Sequence, residues 1–256
     1  MIFYLSCTGN TLWAVRQIAE STGDRLIDIA QALEGDCHYV PEKDERIGFC
    51  FPVHGWRPPK LFRAFIGKLS IATADGHYCW ALCTAGDDIG QSMELLARDL
   101  AARNLKVESQ FSLIMPESYV GLPFMDVDKP ERERKKTREA QMKLNDIVPL
   151  IVKRERGIVD TYKGHWPRTN SYLLGSVFVK SLLTDKPFRV HEENCVRCGT
   201  CISVCPVGNI SGGKGCVPSW LHTDRCLTCF ACYHHCPTKA IEYGNRTGNK
   251  GQYYFK

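Results

Sequence analysis

The sequence predicts an α/β domain built on a parallel sheet, followed by a small cysteine-ligated domain. Two observations carry this expectation. Over roughly the first 125 residues, strand-like apolar stretches alternate with helix-like ones, the pattern of strands joined by crossover helices. Near the C-terminus one cysteine spacing occurs twice, as Cys195-x2-Cys198-x2-Cys201-x3-Cys205-Pro206 and Cys226-x2-Cys229-x2-Cys232-x3-Cys236-Pro237.

Residues 1–6 read as a buried first strand and 11–21 as the helix after it. Residues 25–29 give a second strand and 46–53 a third, which leads through Pro58-Pro59 into a helix over 60–69. Residues 77–84 form the fourth strand, 91–104 its helix and 107–115 the fifth strand. A loop over 116–123, containing proline and glycine, precedes a charge-dense run at 126–138. Ala140, Leu144, Ile147 and Ile151 recur at helical spacing, so the run opens a last helix with its charges on the solvated face. Pro149 falls inside that pattern and is expected to kink or divide the helix. Residues 157–187 read as a partly helical connection, with a short helix over 172–183 and a break at Asp185-Lys186-Pro187. The expected organisation is thus a domain at 1–156, a connection at 157–187 and a domain with its tail at 188–256.

Eight of the 14 cysteines fall in the two motifs; Cys7, Cys37, Cys50, Cys79, Cys83 and Cys216 are scattered. The apolar start has no basic leader or cleavage site, so tight cysteine triplets indicate metal rather than disulfides, and a reducing cytoplasm is expected. Eight thiolates at this repeat are the ligand set of two [4Fe–4S] clusters, each fourth cysteine serving the other cluster. Cys195, Cys198, Cys201 and Cys236 are therefore assigned to one cluster, and Cys226, Cys229, Cys232 and Cys205 to the second. Zinc sites usually use paired CxxC knuckles, without a third cysteine two residues on and a fourth before proline. Cys216 lies outside the spacing and reads as a buried thiol, and Cys79 and Cys83 as core residues of the fourth strand. His234 and His235 flank Cys236 and read as surface residues that tune hydrogen bonding and access. The module is too small to bury a useful core and is expected to need its clusters to fold.

Directly after the first strand, Ser6-Cys7-Thr8-Gly9-Asn10-Thr11 opens a helix. Backbone N–H groups at a helix N-terminus, with the helix dipole behind them, suit a phosphate. Ser6, Thr8 and Thr11 add hydroxyl donors and Asn10 an amide, Gly9 permits close approach, and Cys7 contributes its amide rather than its sulfur. A single glycine rules out the GxGxxG fingerprint, and the missing lysine rules out a P-loop. A hydroxyl-rich loop without a cation suits one terminal phosphate.

This loop resembles that of flavodoxins, whose pattern is [S/T]-x-T-G-x-T at the end of the first strand. The resemblance extends over roughly residues 1–155. It implies a doubly wound, five-stranded parallel sheet with strand order 2-1-3-4-5 and FMN at its C-terminal edge. It also implies that Pro52-Val53-His54-Gly55-Trp56 and Thr84-Ala85-Gly86-Asp87-Asp88-Ile89-Gly90 hold the isoalloxazine. Trp56 is the stacking candidate, Gly86 and Gly90 let amides approach the ring's polar edge, and Tyr119 shields the ring or admits a substrate.

The cysteine repeat resembles bacterial two-cluster ferredoxins over about 50 residues, which implies a small α+β domain with pseudo-twofold symmetry. Taken whole, the chain resembles the flavodoxin–ferredoxin fusion proteins of anaerobes. That resemblance implies an electron-transfer iron–sulfur flavoprotein, passing single electrons between two [4Fe–4S] clusters, FMN and a redox partner protein. One alternative is a flavin-dependent reductase of a small organic substrate, with His54, Tyr119 and Asp87 as candidate proton donors. Another is a redox or oxygen sensor, for which no output module is visible. No second nucleotide fingerprint occurs, so direct oxidation of NADH is not expected.

The formal charge of +5 does not call for nucleic acid. Two oxidised clusters at roughly −2 each, and a flavin phosphate of up to about −2, bring the loaded protein near neutrality. The sequence has no run of about 18 apolar residues, so no membrane span is expected.

Overall fold

The computed structural model describes residues 1–72 and 76–255. Five parallel strands form where the sequence places them: β1 (Ile2–Tyr4), β2 (Leu26–Asp28), β3 (Ile47–Pro52), β4 (Cys79–Ala85) and β5 (Ser109–Ile114). A sixth, β6 (Val159–Asp160), extends the sheet to the order β2-β1-β3-β4-β5-β6. The fold is thus mixed α/β and flavodoxin-like, the order reversing between β1 and β3. The β6 strand comes from the stretch read as a connection. It adds only the pairs Gln110↔Val159 and Phe111↔Asp160, too little apolar pattern to be seen in sequence.

Every residue of β4 is buried, as expected of a central strand with helices on both faces. Helices α1 (Asn10–Thr22) and α4 (Pro130–Val152) cover one face. There Ala14, Val15 and Ile18 meet Leu144, Ile147 and Ile151 around Trp80 and Phe111. Helices α2 (Lys60–Lys68) and α3 (Ser92–Ala101) cover the other, packing Phe62, Phe65, Leu96 and Leu100 on Phe3, Phe49 and Phe51. Contrary to expectation, Pro149 does not divide α4. It lies in the last turn, where its missing N–H costs one bond to residue 145 and the helix runs on to Val152. The charge run is largely solvated, but Lys136 is buried with only 7% of its surface exposed.

After β6 the chain makes wide helical turns over 169–182 that lie on the sheet's C-terminal edge. The buried carboxylate of Asp185 then accepts hydrogen bonds from Asn209 Nδ2 (2.6 Å) and the backbone N–H of His222 (3.0 Å). The cysteine region forms two antiparallel pairs, β7 (Phe188–Val190) with β10 (Ile241–Tyr243) and β8 (Ile210–Ser211) with β9 (Ser219–Trp220). Its two halves repeat one backbone path. Left-handed residues occur at equivalent positions: Arg197 and Thr228 (φ 54° and 49°), Gly199 and Phe230 (80° and 59°), Gly208 and Lys239 (56° and 54°). The small domain also builds a core of its own, contrary to expectation. Phe188, Trp220, Phe230, Tyr233 and Tyr243 pack together, and Val120 from the first domain completes them. Phe230 occupies the left-handed position held by glycine in the first half, and burial of its ring against Tyr119 and Phe188 offsets the roughly 1–2 kcal/mol of backbone strain.

Candidate functional site

The C-terminal ends of the strands open into a cavity of about 400 Å³. Ser6, Cys7, Thr8, Asn10 and Thr11 line it after β1, Pro52 to Trp56 after β3, Thr84 to Asp88 after β4, and Pro116 to Tyr119 after β5. The topology thus brings together the three loops the sequence singled out and the loop that carries Tyr119, and adds a fifth side, Leu227, Thr228 and Cys229, from the cysteine region.

The first loop has the shape of an anion cradle. Gly9 (φ 95°) turns the chain into α1, and Ser6 Oγ accepts the N–H of Leu12 (3.2 Å). The N–H groups of Thr8, Gly9, Asn10 and Thr11 make no hydrogen bond to other described residues, leaving four donors at a helix N-terminus. Those donors fit a phosphate monoester. Thr11 Oγ1 shares a 2.8 Å hydrogen bond with Thr84 Oγ1, tying this loop to the end of β4.

Contacts from distant segments act on three residues of the loop. The Asn10 side chain, which lines the cavity, is fixed by one Nδ2 hydrogen donated to Pro116 O (3.1 Å) and by Oδ1 accepting from Tyr253 OH (2.6 Å). Gly9 does not line the cavity but faces the chain's own C-terminal segment, where an added Cβ would lie 2.6 Å from Phe255 O. Cys7 lines the cavity beside Cys229 of the cysteine region, and both pack against the same core. Local sequence carried no sign of these contacts, each spanning more than a hundred residues.

On the opposite wall, His54 and Arg57 bond each other's backbone around a tight turn whose central residues, Gly55 and Trp56, are both left-handed (φ 56°). A left-handed tryptophan costs on the order of 1–2 kcal/mol, and such strain concentrates at functional sites. The segment at 169–182 holds the turn in place: Ser171 Oγ donates to Trp56 O (2.8 Å), and Phe178 packs on Gly55 and Tyr119. Phe178 lines the cavity too, although its segment read as a linker. His54 also lines it; its Nδ1 is buried without a hydrogen-bond partner, and burial pushes its pKa down to about 4. Burial raises the pKa of Tyr119, and Asp87 is exposed.

The sequence reading missed the polar end of the cavity. Glu117, half-buried, accepts the N–H groups of Ser118 (2.9 Å) and Tyr119 (2.8 Å) on Oε1. Asp128 is neutralised by Lys136 (2.6 Å) and Arg132 (3.1 Å), and Lys136 also donates to Gly86 O (2.6 Å). The only hint was that Lys136 and Asp128 belong to the charge run.

The cysteines gather as two cages in the crossed arrangement. Cys195, Cys198, Cys201 and Cys236 line one cavity, and Cys201 feels the charge of Cys236 and Cys198. Cys226, Cys229 and Cys205 surround Cys232, whose thiol burial pushes well up. Backbone N–H groups point at the sulfurs in matched fashion: Asn209 to Cys205 (3.3 Å) and Ala240 to Cys236 (3.2 Å). Thr228 does the same for Cys226 (3.3 Å). Such N–H···S bonds favour the thiolate form that a metal ligand needs. Two flanking residues depart from expectation. Cys216 is exposed rather than buried, at the rim of the first cage. His234 is buried rather than on the surface. Its Nε2 bonds Ser118 O (2.6 Å) and its Nδ1 accepts the N–H of Tyr253 (3.1 Å), so it joins the domains as a neutral ring. His235 is half-buried, its ring stacked on Tyr254.

Residues 188–211, which include the first four cysteines, match the 4Fe-4S binding domain family. No curated protein matches the chain. Among solved structures, it is similar to rubredoxin oxygen:oxidoreductase from the anaerobe Desulfovibrio gigas, at 14% identity and a TM-score of 0.32. That match covers 59% of this chain and spans 36% of that chain's length. It is also similar to a protein from Bacteroides uniformis with a provisional flavoprotein assignment, at 16% identity and a TM-score of 0.31. There the match covers 44% of this chain and 88% of the other. TM-scores this low do not fix the fold, which the strand order defines. Among the described residues no helix is long and apolar enough to cross a membrane.

Proposed function

We propose that this protein is an electron-transfer iron–sulfur flavoprotein, with FMN in the cavity at the sheet edge and a [4Fe–4S] cluster in each cage. One observation carries the reading. The cavity lined by the phosphate-type loop is closed on another side by the Leu227–Cys229 ligand loop of the second cage. Bound there, the clusters supply single-electron transfer and the flavin one- or two-electron chemistry.

The chain's own residues set the order of the three groups. Cys205 and Cys229 pack with Val207 and Leu227 against the core beneath β1 and β3, so the second cage is the inner one. The first cage carries the exposed Cys198 and, beside Cys195, the exposed Val196. Exchange with a redox partner protein is therefore assigned to the first cage. Cys7 of the phosphate loop and Cys229 of the inner cage line the same cavity, so the two sites adjoin.

Purification under strict exclusion of air tests the reading. Iron and sulfide for two cubanes and one FMN per chain are expected, with the flavin band bleaching on reductive titration. Zinc in the cages, or a protein that takes up no flavin, would overturn it.

A further inference from the structure

Resting on the flavin reading, a second feature of the cavity concerns protons. Two-electron reduction of a flavin takes up at least one proton, at N5, which a cavity group within reach can supply. The groups named from sequence are poorly suited. His54 stays neutral down to about pH 4, burial drives the Tyr119 phenol the other way, and Asp87 lies in solvent.

Glu117 has what these lack. Like them it lines the cavity, but its Oε1 is fixed by the N–H groups of Ser118 and Tyr119. Its Oε2 lies over the α-carbon of Gly86, in space that any Cβ there would fill, and makes no hydrogen bond among the described residues. Lys136 is close, but its ammonium is committed to Asp128 and Gly86 O, and Arg132 is committed to Asp128 as well. Of the two carboxyls, Asp128 therefore has cations on both oxygens and Glu117 has none of its own. The charged groups around the pair are Lys136 and Arg132 on α4, Asp126 and Asp128 before it, and Asp87 and Asp88 after β4. Burial, with Asp128 adding to it, favours the protonated form of Glu117; the two N–H bonds and Lys136 oppose it.

We propose that Glu117 is the proton donor for the flavin reduced in this cavity. Two reduced clusters each give up one electron and are oxidised. The flavin gains both electrons and forms an N5–H bond with the proton of Glu117 Oε2–H, whose O–H bond breaks. The resulting carboxylate regains a proton from solvent.

The test uses anaerobically purified holoprotein, comparing wild type with Glu117→Gln, which keeps an acceptor for the two N–H groups. Flavin content is measured first, then reduction by dithionite is followed in a stopped-flow instrument, in light and heavy water. Clusters should reduce at the wild-type rate, while flavin reduction in Glu117→Gln slows by about a hundredfold or more. Its solvent isotope effect should change as well. Glu117→Ala should be slow too and be partly restored by added formate buffer, which a merely structural role would not allow. A flavin-loaded Glu117→Gln protein that reduces at the wild-type rate with the same isotope effect would overturn the proposal. So would a slow Glu117→Ala protein that formate does not restore. Wild-type protein without flavin would instead sink the cofactor assignment, and this proposal with it.

Discussion

Replacing Cys205 with alanine is expected to empty the inner cage and spare the outer one, although Cys205 belongs in sequence to the first motif. The expectation comes from where its sulfur lies. Cys205 faces Cys229 and contributes to the surroundings of Cys226 and Cys232, while Cys236 supplies the fourth thiol of the outer cage. Iron and sulfide should fall by about half. The surviving cluster signal should be that of the Cys195, Cys198, Cys201 and Cys236 set. The fold should also loosen, because Cys205 packs with Val207 and Leu227 on the core of the first domain. Retention of the inner cluster, with loss of the outer one, would show uncrossed ligation.

The second large effect is expected from Gly9→Val. At φ 95° a β-branched residue is strained by roughly 1–3 kcal/mol, and here its Cβ would also meet Phe255 O at 2.6 Å. The backbone of Phe255 cannot yield easily, since its N–H is bonded to Thr8 O at 2.7 Å and its ring packs on Trp13. Relief must come from the loop, which moves the four free N–H donors. The variant should retain both clusters and bind FMN at least tenfold more weakly, measured by equilibrium fluorescence titration. Wild-type affinity would remove the loop from the flavin site.

What could be read in the sequence was what local pattern encodes. Central strands such as β4 are continuous apolar runs, because helices cover both faces, and the cysteine spacing is a ligand code in itself. The cavity loops were legible for a topological reason: parallel strands with crossover helices deliver their C-terminal ends to one edge. Contacts made by packing between distant segments were not legible. The tail residues Tyr253 and Phe255 reach back to Asn10 and Gly9, Phe178 closes over Gly55, and Cys7 comes to lie beside Cys229. His234 misled for a related reason. A histidine beside a ligand cysteine looks exposed until Ser118 and Tyr253 are found to occupy both its nitrogens. Glu117 stood in a proline-containing loop as an ordinary acidic residue, and only the seating of its carboxylate over Gly86 distinguishes it.

Placement of a flavin beside the inner cage rather than the outer one is tested most directly by pulsed electron paramagnetic resonance. The sample is air-free protein, reduced until flavin radical and reduced cluster coexist. The structure predicts a strong magnetic coupling of the flavin radical to one cluster, and its loss in the Cys205→Ala protein, where the outer cluster remains. A radical that couples to no cluster, or a coupling that survives unchanged in Cys205→Ala, would contradict it.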